Sequence, residues 1–77
     1  MIVWHVTTLN KLRRYQQNGR IVAPVRAWEN LEQAQRFSLS TGRRVILRLR
    51  FPKEAPKLDG HFGQARVLNR DFRFTGF

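Results

Sequence analysis

The sequence predicts a small α+β domain with two helices packed on a mostly antiparallel or mixed sheet. Residues 43–51 alternate apolar and polar side chains, as a half-buried strand does. Two earlier segments repeat apolar residues at helical spacing, and each ends at a glycine. Short apolar stretches then follow one another to the end of the chain. The predicted order is therefore β-α-β-α-β-loop-β-β, and the late strands favour α+β over a parallel α/β sheet.

The composition fits one folded domain over residues 1–77. A chain of 77 residues buries only roughly 60% of its unfolded surface, so its core is thin. The hydrophobic fraction of 42%, with six Phe and two Trp, argues against a disordered chain. The absence of cysteine excludes disulfides and zinc–thiolate sites. No apolar run reaches the ~20 residues of a membrane span, so we expect a cytoplasmic protein without a membrane partner.

The first strand and the first helix lie within the first twenty residues. Residues 1–6 carry apolar side chains on both faces, which is typical of a central, largely buried strand. Thr7 or Thr8 then offers an N-cap for a helix. That helix is predicted to end at Gly19, because glycine adopts the left-handed conformation that follows a helix C-terminus.

The middle of the chain is predicted to hold a short strand and a second helix. Residues 20–26 contain Pro24, which donates no ladder hydrogen bond, so they are predicted to form an edge strand or an extended segment. The second helix is predicted for residues 29–40, with Asn30 near its N-terminus in a capping position. Gly42 is predicted to end it.

The strongest strand signal follows this helix. One face of the predicted strand is apolar and carries Val45, Leu47, Leu49 and Phe51. The other face carries Ile46, Arg48 and Arg50. Two prolines and an Asp-Gly step make residues 51–60 a loop. Residues 61–68 and 72–76 are predicted as the last two strands, joined by a turn.

The charge is the most informative property for function. Fifteen Lys and Arg face five Asp and Glu, which gives a net charge of +10. Such a field attracts polyanions. Twelve of the fifteen are arginines, whose guanidinium groups bind phosphate or carboxylate with paired hydrogen bonds. An Arg-rich composition without any ligand remains an alternative.

We expect the arginines of the late strands to form an Arg-lined sheet face if those strands lie beside residues 45–51. The predicted phosphate- or nucleic-acid-binding residues are Arg43, Arg44, Arg48, Arg50, Arg66 and Arg73. Aromatic side chains would either complete the core or stack on unpaired bases. These aromatics are Trp28, Phe62, Phe72 and Phe74.

His5 is a titratable ring on a predicted buried strand, directly before a helix N-terminus. Free main-chain N–H groups at such a terminus bind anions. His5, Thr7 and Thr8 are therefore candidate nucleotide-binding residues. The competing interpretation is a core histidine that donates to a main-chain carbonyl. The two histidines and five carboxylates show no metal-ligand spacing, so no metal site is predicted.

A short motif resembles a known family. Trp4-His5-Val6-Thr7, then a helix, then Asn18-Gly19-Arg20-Ile21, is similar to the opening of ADP-ribosyltransferase-fold proteins. The RNA 2′-phosphotransferase and DNA-modifying toxin branches show similar openings. The resemblance extends over residues 2–52. It implies that His5 holds the nicotinamide-ribose or adenylate part of a dinucleotide, with Thr7 beside it.

Parts of the family pattern are missing from this chain. The chain is shorter than enzymes of that fold. The stacking tyrosines are not recognisable, because the sequence has one tyrosine, Tyr15, on the first helix. For the late catalytic glutamate, Glu54 is the weak candidate, beside His5 as the other candidate catalytic residue. NAD is expected as a cofactor only if the resemblance holds, and otherwise none.

The sequence favours a binding protein over an enzyme, and the favoured ligand is nucleic acid, RNA or DNA, on the Arg-lined face. Two alternatives stay open. One is a miniature transferase-like or ribonuclease-toxin-like enzyme that uses His5. The other is an interaction module that forms a homodimer or binds an acidic protein, because a thin core benefits from a partner.

Overall fold

The structure, a computed structural model, describes residues 1–60 and 64–74. In these residues the elements are β1 (Ile2–Thr7), α1 (Leu9–Asn18), β2 (Arg20–Ile21), β3 (Val25–Trp28), α2 (Leu31–Thr41), β4 (Val45–Arg50), β5 (Ala65–Leu68) and β6 (Phe72–Arg73). The predicted α+β class is confirmed. The start of the predicted strand 61–68 and the end of the predicted strand 72–76 lie outside the described residues. No described helix has the length and apolar character needed to cross a membrane.

The described strands form two sheets. The main sheet has the order β4-β1-β3-β5 with antiparallel neighbours, and β2 pairs with β6 in a separate sheet. The predicted central position of β1 is confirmed. The single edge strand predicted for residues 20–26 is wrong: it is two strands, and β3 lies inside the sheet. Pro24, which has no N–H to donate, lies between the two strands and so interrupts neither ladder.

The last strands do not lie beside residues 45–51, so the condition for a continuous Arg-lined sheet face is not met. β5 pairs with β3, and β6 pairs with β2. The loop of residues 51–60 explains part of this arrangement, because it follows the other edge of β5: the Leu58 N–H donates to Ala65 O at 2.8 Å, and the Val67 N–H donates to Pro56 O at 2.9 Å.

Both helices have the caps that their sequences predict. The Thr8 hydroxyl accepts from a main-chain N–H of the first turn of α1 at 3.2 Å. The Asn30 carboxamide accepts from two main-chain N–H groups at the start of α2, at 2.8 and 3.4 Å. Gly19 and Gly42 end the two helices, each with φ of 71°. These glycines adopt the left-handed conformation that other residues rarely take.

The main core lies on one face of the large sheet. The alternation predicted for β4 is confirmed, since Leu47, Leu49 and Phe51 are buried and Arg48 and Arg50 are exposed. The buried row packs in one cluster with residues of the neighbouring strands and of the small sheet. They include Val3, Ile21, Val25, Ala27, Leu68 and Phe74. Phe72 also packs against this cluster, so two of the candidate stacking aromatics serve the core, whereas Phe62 lies outside the described residues.

The second helix covers part of the opposite face. Ala34 of α2 is fully buried, and the Phe37 ring lies 5.9 Å from the Trp28 ring. Strand register puts Arg48 on the same face as Trp28, because both pair with Trp4 of β1. Since α2 lies mainly over β1, Arg48 stays exposed beside the helix.

Candidate functional site

The main sheet opens between β1 and β3. Within the described chain, these strands are in register at Trp4 and Trp28 only. In a continued ladder His5 would lie opposite Ala27, and Val6 with Arg26 would form the next hydrogen-bonded pair. Instead, the Arg26 carbonyl accepts a hydrogen bond from His5 Nδ1 at 2.6 Å. A side chain therefore satisfies the carbonyl that a ladder bond would have used, and the strands part at this point.

The opening leads into a cleft of about 740 Å³. Ligand pockets commonly measure roughly 300–1,000 Å³, so the cleft is large enough for a small molecule. His5 and Thr7 line it from one face of the sheet, and Trp28 and Phe37 line it from the other. Both faces contribute because the strands between them have separated.

The cleft is strongly cationic. Its basic lining residues are Lys11, Arg14, Arg20, Arg26 and Arg43, and the described lining includes no carboxylate. Arg20 Nε lies 3.6 Å from an oxygen of Asp71, with both side chains substantially exposed. The other four cations make no ion pair within the described residues. The site therefore favours an anion, because like charges converge on it without neutralising partners.

One wall of the cleft combines two aromatic rings and a guanidinium. The Trp28 and Phe37 rings are 5.9 Å apart and tilted by 51°. The Arg43 guanidinium carbon lies 5.9 Å from the centre of the Phe37 ring, within cation–π range. Ser38 Oγ donates to the Arg43 carbonyl and so ties the end of α2 to this residue. Such a wall suits a flat aromatic group that also carries negative charge.

The opposite wall holds a chain of hydrogen bonds whose directions follow from its chemistry. A carbonyl only accepts, so His5 Nδ1 carries the proton that Arg26 O receives. In the neutral ring, Nε2 then accepts from the Tyr15 hydroxyl at 3.1 Å. The Tyr15 oxygen in turn accepts from Thr7 Oγ1, 3.2 Å away. This chain ties β1 to α1 and to β3.

The environment of His5 keeps its ring neutral. Burial of the ring lowers the pKa of His5 below the ordinary 6.5, the hydrogen bond to the Arg26 carbonyl opposes this, and the positive charges of Lys11 and Arg43 add to the lowering. Both ring nitrogens are occupied by protein partners. The contacts match the interpretation of His5 as a core histidine that donates to a main-chain carbonyl, while its edge lines the cleft.

The other residues predicted around His5 have separate positions. Thr7 is buried at the cleft wall, with its hydroxyl on Tyr15. Thr8 caps α1 and is not part of the cleft lining. Glu54 is exposed in the turn after Pro52 and lies outside the lining.

The structure does not bring the six predicted arginines to one face. Arg43 lines the cleft, whereas Arg44 is exposed outside it. Arg48 and Arg50 lie on one face of β4. Arg66 of β5 pairs with Ala27 of β3, so its side chain lies on the core face of the main sheet. Arg73 belongs to the separate small sheet.

Arg66 is engaged inside the protein. Its Nε donates to Glu29 Oε2 at 2.8 Å, and its Nη1 donates to the Ala55 carbonyl at 2.8 Å. Its side chain is only 15% exposed. This arginine links β5 to the end of β3 and to the 51–60 loop, so its guanidinium has little freedom to meet a ligand.

Sequence reasoning named Arg43 but missed the other cleft cations and the cleft tyrosine. A signal was present: Lys11, Arg14 and Tyr15 are three and four residues apart, which places them on one side of a helix. Arg26 and Trp28 alternate on one strand and so share a face. The sequence alone did not show that these two sets face each other across a gap.

No group of three described His, Asp or Glu side chains is placed to hold a metal ion. Comparison with known proteins gives no match to a family model, to a curated protein or to a solved structure. The resemblance to ADP-ribosyltransferase-fold proteins therefore stays a prediction.

Proposed function

We propose that this protein binds a nucleotide in the cleft between β1 and β3, with single-stranded nucleic acid as the favoured source of that nucleotide. The observation that carries the proposal is the meeting of unpaired cations and an aromatic wall in one cleft of about 740 Å³. A nucleotide offers both matching groups, a phosphate and a flat aromatic base. A purely inorganic anion would leave the aromatic wall without a role.

The two halves of the cleft suggest how such a ligand lies. Lys11 and Arg14 project from one side of α1 and are exposed, so they meet the phosphate. The base packs against the wall that Phe37 and Trp28 form. Arg43 lies beside Phe37 and contacts whichever charged group follows the base. Main-chain groups of Val6 point towards the gap, because its neighbours in β1 use theirs for β4, and they offer hydrogen bonds to a base edge.

The charge outside the cleft favours a polymer over a free nucleotide. Exposed arginines such as Arg13, Arg44 and Arg70 lie beyond the cleft lining. A single nucleotide reaches few of them, whereas a longer strand gains a contact for each phosphate that passes one. The proposal concerns binding, because both nitrogens of His5 are occupied. The transferase alternative with NAD is kept as one arm of the test.

The test is an amide-shift NMR titration with three ligands: AMP, NAD and a short single-stranded RNA. The informative variant is Arg14→Ala/Arg43→Ala, which removes two cleft cations. Its matched control is Arg13→Ala/Arg44→Ala, which removes the sequence neighbours outside the lining and the same charge. We expect the cleft variant to bind RNA roughly tenfold more weakly than the control, because two direct phosphate contacts are lost.

The outcomes separate the sources of the ligand. RNA shifts at Val6, Lys11 and Phe37, with weak AMP binding and a steep loss of affinity with salt, support the proposal. Tight NAD binding with weaker RNA binding supports the transferase alternative instead. Equal weakening of RNA binding in the two double variants contradicts specific binding in the cleft. It would show that the overall charge sets the affinity.

A further inference from the structure

The outer edge of β4 is a second surface with unused main-chain groups. β4 pairs with β1 along six positions, and no described residue pairs with its other edge. The Met1 amino group donates to Phe51 O at 2.7 Å, and the Phe51 N–H donates to Met1 O at 2.9 Å. This doubly bonded pair sets the alternation of the ladder. Ile46, Arg48 and Arg50 therefore direct their N–H and C=O groups outwards.

The residues with outward main-chain groups also carry the exposed charge of this strand. Arg48 and Arg50 are exposed and make no ion pair within the described residues. Ile46 is half-buried and lies on the same face two residues earlier. An added strand would therefore meet an alternating row of two cations and one apolar side chain, together with three pairs of main-chain donors and acceptors.

A second copy of this chain is a poor occupant of the edge. Antiparallel pairing of two β4 edges about a two-fold axis puts Arg48 opposite Arg48, or Arg50 opposite Arg48 or Arg44, depending on the register. Like charges directly opposite each other in a sheet are destabilising. The same row is complementary to a strand with acidic side chains at alternate positions.

We propose that the outer edge of β4 binds an extended acidic segment of a partner protein, which adds to the main sheet as an antiparallel fifth strand. The side chains opposite Arg50, Arg48 and Ile46 are then acid, acid and apolar, at every second residue. Main-chain hydrogen bonds supply affinity, and the alternate side chains supply specificity. This site is independent of the cleft, so it holds or fails separately from the proposed nucleotide binding.

The probe is the acetylated peptide Ser-Glu-Thr-Glu-Thr-Val-Ser, with hydrogen exchange as the readout. Outward amides exchange freely in the isolated protein and become protected in the complex. We expect new protection at the amides of Ile46, Arg48 and Arg50. The amides of Leu47 and Leu49 already bond to β1 and should change little. A peptide with N-methyl groups at its two glutamates keeps the charge but loses the ladder, so it should bind far more weakly.

The matched variants test the charge pattern. Arg48→Glu/Arg50→Glu reverses the row, and Arg13→Glu/Arg70→Glu makes the same charge change at exposed sites off this edge. We expect roughly tenfold or greater weakening in the first variant and little in the second, because only the first makes two opposite pairs repulsive. Equal weakening in both, equal binding of the N-methyl peptide, or no peptide binding at low salt overturns the proposal. Single-stranded RNA that displaces the peptide and protects the same three amides would assign the edge to nucleic acid and overturn it as well.

Discussion

The two sides of strand β1 behave differently. Towards β4, β1 is paired at six positions, and its Val3 side chain lies in the main cluster. Towards β3, the described register ends at the Trp4–Trp28 pair. The His5 ring donates to the Arg26 carbonyl, which a further ladder bond would have used. The first seam is closed by main-chain bonds and apolar packing. The second is held by side-chain hydrogen bonds, and it leaves a cleft. One strand therefore stabilises the fold on one side and shapes a site on the other.

The largest expected effect is on stability, from loss of apolar packing where β1 pairs with β4. Leu49 is 5% exposed and packs in the main cluster. Leu49→Ala should lower the free energy of unfolding by about 2–5 kcal/mol, because it removes buried methyl groups and leaves a cavity. Urea unfolding followed by circular dichroism measures the change.

The control for this experiment is an exposed leucine. Leu39 is 85% exposed on α2, so Leu39→Ala should change the free energy of unfolding by less than about 0.5 kcal/mol. Similar losses in the two variants would show that the closed seam is not the main source of stability.

A smaller loss of stability is expected from a substitution between β1 and β3, where side-chain hydrogen bonds hold the strands. Tyr15→Phe removes the hydroxyl that donates to His5 Nε2 and accepts from Thr7 Oγ1. We expect a loss of about 1–2 kcal/mol in the free energy of unfolding, because two buried polar atoms lose their partner while the ring packing is kept. Unfolding measurements give this value, and NMR shifts at His5 and Arg26 show whether the effect stays local. A neutral substitution would mean that this hydroxyl does not hold the seam.

The smallest expected effect is a pH dependence of stability that comes from His5. The pKa of His5 is lowered in the folded protein, so its contribution to stability is complete above the unfolded value of 6.5. As the pH falls from 6.5 towards the folded pKa, the unfolded chain binds the proton first and stability is lost. We expect the wild type to lose more stability than His5→Gln between about pH 7.5 and about pH 5, since the variant lacks this titration. Parallel urea curves at the two pH values decide it, and equal losses would contradict the assigned environment of His5.

Much of the fold was predictable because its signals are local. The alternation of residues 45–51 fixed the buried and exposed faces of β4. Thr8 and Asn30 capped the helices, and Gly19 and Gly42 ended them, as their side chains and conformational freedom predict. The division at Pro24 into two strands was not foreseen, because partners in different sheets leave no mark on so short a segment.

The candidate site was predicted only in part. His5 and Thr7 were named from the sequence, and both line the cleft. The expected row of six arginines was not assembled, because it depended on which strands become neighbours. Arg66 illustrates the reason: its role follows from Glu29 and Ala55, which are distant in sequence and meet it only after folding.

The class of fold, the faces of the strongest strand and the ends of the helices could be predicted from the sequence alone, and the composition gives the large excess of positive charge. The strand faces and the helix ends depend on residues close together along the chain, and the net charge depends on composition alone. The tertiary structure alone decided where the charge is used. Strand order is a choice among long-range pairings of similar local signal, and it placed Arg43 at the cleft, Arg48 at an open edge and Arg66 inside an ion pair. Arginine side chains therefore occupy three different environments in this protein. Only the packing of distant segments decides which arginine occupies which.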